Sequence, residues 1–146
     1  MCGYAYARGG QPERVVATLF ILGALASLMF APPKDRPFEA VEIGIMTVDS
    51  AMFLVLFALA MSSSRFWPLT MASLQGAEVV AHIARLSMSG IVPPTYFMVT
   101  VMWSFPMLLL LGVATWRHRW RLRRYGRDYA WSWQLPADYR SKGIEL

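Results

Sequence analysis

The chain has 146 residues, 56% of them hydrophobic, with six Trp, ten Met and a mean hydropathy of +0.39. Soluble globular domains are about 45 to 50% apolar, so this is the composition of a membrane protein. A single cysteine, Cys2, excludes an internal disulfide and a multi-cysteine metal site, and the net charge of +5 is no nucleic-acid signature, because six of the fourteen Lys and Arg crowd between Arg117 and Arg127.

Residues 1–14 read as a polar cytoplasmic lead whose Gly9-Gly10-Gln11-Pro12 run breaks structure and then starts a helix, proline being well suited to a first helical turn. Helix one is expected over about 15–31, seventeen residues without a charge, or about 26 Å of rise, which is close to the lower limit for crossing a hydrocarbon core. A cleaved signal peptide is disfavoured, since Pro32 and Pro33 stand where cleavage would fall. The run from Pro32 to Pro37 reverses the chain, because adjacent prolines cannot continue a helix.

Helix two is expected over about 39–61, with Glu42 and Asp49 seven residues apart on one stripe. Ser62, Ser63 and Ser64 offer capping oxygens, and Pro68 fits the first turn of helix three, expected over about 66–90. Within it Gln75, Glu78, His82 and Arg85 follow the three-then-four spacing that stacks side chains along a single face, so none of them need touch lipid. A charge at mid-membrane costs about 2.5 to 3.5 kcal/mol, so this stripe must face protein or water. Helix four is expected over about 95–120, bent at Pro106, where Thr100 and Ser104 can satisfy the freed carbonyls.

Trp116, Arg117, Arg119, Trp120, Arg121, Arg123 and Arg124 interleave rings with cations, the pattern selected at a membrane–water boundary. Arg117, Arg121 and Arg124 share a face suited to anionic lipid. Residues 128–146 form a cytoplasmic tail, too short for a domain, with Trp131 and Trp133 available for a partner. With four crossings both termini lie on one side, which holds eleven Lys and Arg against Lys34 and Arg36 opposite, so both termini are expected in the cytoplasm.

That orientation puts Asp49 near mid-membrane, level with Gln75 and Glu78, and Glu42 nearer the outer face, level with Arg85. Asp49 is expected to meet Gln75 or Glu78, and Glu42 to meet Arg85, if helices two and three are antiparallel neighbours. Three carboxylates then face one certain cation, so at least one charge must be neutralised by a proton, a bound cation or another subunit.

His82 could ligate a single pigment or a metal, but a hydrogen bond to Glu78, one turn away, is the more economical role. The other histidine, His118, lies at the cytoplasmic end, about 24 Å of helical rise from His82, which disfavours bis-histidine haem. No nucleophile elbow, phosphate loop or paired metal-binding histidines appear in the sequence, so no catalytic, cofactor or metal residue is expected.

The run Phe105-Pro106-Met107-Leu108-Leu109-Leu110-Leu111, followed by Thr115-Trp116-Arg117-His118-Arg119, resembles small four-helix proteins encoded in alphaproteobacterial genomes. These have no assigned activity, so the resemblance implies a fold and carries over no functional residue. Small multidrug transporters share the size and helix number, but their essential Glu lies in the first helix, and 15–31 has none. The expected protein is an all-α bundle of four transmembrane helices in the bacterial inner membrane. Its expected role is a non-enzymatic accessory or scaffold subunit whose partners are the lipid bilayer and other membrane subunits or copies of itself. The alternative is a small proton- or cation-coupled transporter or channel using Asp49 and Glu78.

Overall fold

The computed structural model describes residues 1–30, 43–87 and 102–134. Within them the chain is all-helical: α1 (Cys2–Arg8), α2 (Gln11–Met29), α3 (Ile43–Ser62), α4 (Trp67–Ser87), α5 (Ser104–Tyr125) and a 3-10 turn, Ser132–Gln134. Residues 39–42, 88–90 and 95–101 of the expected helices, with Glu42 among them, lie outside the described residues, as does the tail beyond Gln134.

Helices α2 to α5 form a ring in which each packs on the next and α5 returns to α2, while α1 lies against α2 and α5. Close approaches set the α2–α3 contact, where Gly23 faces Met52 and Gly44 faces the Phe30 ring, pairings that run in opposite directions along the two helices. The most extensive contact joins α3 to α4 across the turn of residues 63–66. A core of Val16, Ala17, Leu56, Leu59, Met71, Ala72 and Leu111 fills the centre, with Ala5 of α1 sealed against it.

The structure sharpens the expected boundaries. The lead holds a short helix that the sequence reading did not identify: α1 forms because Ala5 is completely buried and the Gly9 N–H caps the helix on the Ala5 carbonyl. The first long helix starts at Gln11, not residue 15, with Pro12 in its opening turn, and it therefore includes a carboxylate, Glu13. The last helix carries the shared face of Arg117, Arg121 and Arg124 on to Tyr125, past the approximate bound at residue 120, and stops where Gly126 takes a left-handed φ of 67°, a conformation that costs glycine little.

Among the described residues two helices, Gln11–Met29 and Ile43–Ser62, are long and apolar enough to cross a membrane. Helix α4 carries Gln75, Glu78, His82 and Arg85, and the second half of α5 is rich in arginine, which lowers the mean hydropathy of both. The most apolar stretch of α3 is only 11% buried, although a soluble core helix would hide most of such a surface.

Candidate functional site

The seven buried residues of α4, from Pro68 and Met71 through Gln75, Glu78, His82 and Arg85, form one stripe. A helix repeats every 3.6 residues, so that spacing turns all of them toward the ring of neighbours. Facing them on α3 is Asp49, with 15% of its side chain exposed. Its Oδ1 accepts from Gln75 Nε2 at 3.2 Å, and its Oδ2 lies 2.8 Å from His82 Nε2. With Asp49 ionised its oxygens only accept, and His82 is then the donor through Nε2. The second N–H of the Gln75 amide reaches Glu78 Oε2 at 3.0 Å. One neutral amide thus bridges two carboxylates on different helices. Glu78 Oε1 is buried and has no hydrogen-bond partner among the described residues.

Among the described residues the carboxylate at hydrogen-bond distance from His82 is Asp49 across the interface, not the Glu78 one turn away on its own helix. Arg85 is buried at the end of the same stripe. The expected pairing of Arg85 with Glu42 lies outside the described residues. Among the described residues, no group of three His, Cys, Asp or Glu is placed to hold a metal ion. A pigment or metal on His82 Nε2 would have to displace Asp49.

A second polar cluster, which sequence reasoning missed, closes one end of the bundle. Arg65, in the turn between α3 and α4, pairs through Nη1 with Glu13 and through Nη2 with Asp128 Oδ2 at 2.7 Å. Asp128 Oδ2 also accepts from His118 Nδ1 at 2.5 Å, and its Oδ1 accepts from Arg121 Nε at 2.9 Å. Glu13 is completely buried, and the Arg65 and Asp128 side chains are 6% and 7% exposed. Glu13 and Asp128 lie 52 and 63 residues from Arg65 in sequence, so no local spacing could reveal these two pairs. The only hint was Arg65 itself, a lone cation in a short serine turn. The corrected carboxylate of the first long helix is thus held in an ion pair at the helix end.

The segment after α5 docks on the same end. Ser63 and Trp131 form an isolated antiparallel bridge, Ser64 Oγ donates to the Tyr129 carbonyl at 2.9 Å, and Trp131 Nε1 donates to Gln11 Oε1 at 2.5 Å. Trp133 stacks on Trp131 with ring centroids 5.0 Å apart. The expected boundary residues Trp116, Arg117, Trp120, Arg123 and Arg124 are exposed, while Arg119 and Arg121 are partly covered. The Arg124 guanidinium sits 5.1 Å over the Trp120 ring. Comparison with known proteins found no family model, no curated protein and no solved structure that matches this chain.

Proposed function

We infer that this chain is a non-enzymatic integral membrane protein, an accessory or scaffold subunit of a larger bacterial inner-membrane complex. In this reading four helices cross the bilayer and both termini are cytoplasmic. The observation that supports it is α3, twenty residues of which only Leu56 and Leu59 are buried, beside a polar interior whose groups hold one another. An apolar surface that wide needs lipid or partner helices around it. The Asp49–His82 and Asp49–Gln75 bonds fix the register of α3 against α4, as interhelical hydrogen bonds do in bilayers.

Purification in mild detergent tests the subunit reading, with co-purification of a stoichiometric partner as the expected result. A stable monomer without a partner refutes it. Topology reporters at each terminus and at Lys34 test the crossings, and the termini should report one side and Lys34 the other.

A second reading, proton- or cation-coupled transport, is favoured by one observation, Glu78 Oε1, buried beside the Asp49 pair with no hydrogen-bond partner among the described residues. It requires Asp49→Asn and Glu78→Gln to leave assembly intact and abolish flux in liposomes. Absence of flux in the unaltered protein discards it.

A further inference from the structure

A cavity of about 850 Å³ opens between the start of α4, the C-terminal part of α5 and the segment 127–129. Its lining changes character along α5. Leu110, Val113 and Ala114 form an apolar floor, and Arg117 and Arg121 follow on the same face. Arg65 and Arg127 close the charged end, so four guanidinium groups line the cavity against one carboxylate, Asp128. Arg65 and Arg121 are paired with Asp128, whereas Arg117 and Arg127 have no carboxylate within ion-pair distance among the described residues. Tyr125, Tyr129 and Phe66 rim the same end.

We propose that this groove binds one anionic phospholipid, its phosphate held by Arg117 and Arg127 and an acyl chain laid along Leu110 and Val113. Arginine presents a planar fork of donors that matches phosphate oxygens, and Tyr rings suit the headgroup level. From Leu110 to Arg117 the helix rises about 10 Å, enough to seat the upper part of one acyl chain below a headgroup. A nucleotide or free phosphate would use the cations and leave the apolar floor wet. A zwitterionic lipid such as phosphatidylcholine would use the floor, but its ammonium cation offsets the phosphate charge and brings a like charge toward a site lined by four guanidinium groups. An anionic lipid satisfies both ends. The site rests on the membrane reading given above, because its occupant is a bilayer component.

The test is native mass spectrometry of the full chain in neutral detergent, titrated with phosphatidylglycerol, phosphatidylcholine or inorganic phosphate. The expected result is one tightly held phosphatidylglycerol per chain, with phosphatidylcholine and phosphate binding far more weakly. Arg117→Gln with Arg127→Gln should weaken the lipid adduct by roughly tenfold or more, since each cation near an anionic surface contributes severalfold. Arg119→Gln with Arg123→Gln removes the same charge from the opposite face of α5 and should leave the adduct unchanged. Circular dichroism and gel filtration must show both variants folded. Equal weakening in the two double variants means diffuse charge attraction and overturns the site, as does equal binding of phosphatidylcholine or of inorganic phosphate. Carbonate extraction of membranes separates the two failures. A chain retained in the membrane without a phosphatidylglycerol adduct sinks the groove alone, and a chain released by carbonate sinks the membrane reading with it.

Discussion

Asp49 Oδ2 and His82 Nε2 stand 2.8 Å apart across the α3–α4 interface, and the same carboxylate holds Gln75 through its other oxygen. Replacing Asp49 by Ala withdraws the acceptor from two donors at once. A buried donor left unpaired costs about 1–3 kcal/mol. Asp49→Ala should therefore destabilise the protein in detergent by about that amount. A double-mutant cycle with His82→Ala should show a coupling of about 0.5–2 kcal/mol, the range of interhelical hydrogen bonds in membranes. Strict additivity would mean the contact carries no energy.

Glu78 should behave in the opposite sense. It receives one hydrogen bond from Gln75, and its Oε1 has none among the described residues. A buried carboxylate without a cation is costly, and an uncharged amide of the same shape avoids that cost while its oxygen still accepts from Gln75. Glu78→Gln should be neutral or stabilising, within about 1 kcal/mol. A loss as large as that of Asp49→Ala would show that the charge itself is needed.

Arg65 is the fastening of the bundle end. It spans Glu13 of α2 and Asp128 beyond α5 from a turn between two other helices. Removing one member of a buried pair strands the other, at about 3–5 kcal/mol. Arg65→Ala should approach that cost and free the 127–134 segment for limited proteolysis. Arg65→Lys should recover only part of it, because a single ammonium cannot match a planar fork that reaches two carboxylates. Wild-type stability in Arg65→Lys would contradict the two-carboxylate geometry.

Two glycines offer a paired test of packing. A Cβ on Gly9 would overlap the Ala5 carbonyl oxygen and sit 2.7 Å from Glu13 Cβ, neither of which can swing away. A Cβ on Gly23 meets the thioether of Met52, a flexible side chain that can rotate aside. Gly9→Ala should cost about 1–3 kcal/mol and Gly23→Ala distinctly less, measured by thermal unfolding in the same detergent. A reversed order would mean α1 is not held against α2 as described.

The sequence by itself determined the four long helices and the inward stripe of α4. Both are local: apolar runs of about twenty residues, proline and serine punctuation, and the spacing of Gln75, Glu78, His82 and Arg85 depend on neighbours within a few turns. It also put Asp49 level with Gln75, because a short turn between antiparallel helices fixes relative height.

Tertiary structure decided which atoms meet. His82 turned to Asp49 instead of Glu78 because a facing helix offers an acceptor in line with Nε2, a choice that periodicity along one helix does not contain. The Glu13–Arg65–Asp128–His118 cluster was illegible for the same reason, since its members lie on four separate segments, and only the closing of the ring brings them together. Helix α1 likewise depends on a surface supplied by α2 and α5, without which seven residues could not offset the entropy of ordering them.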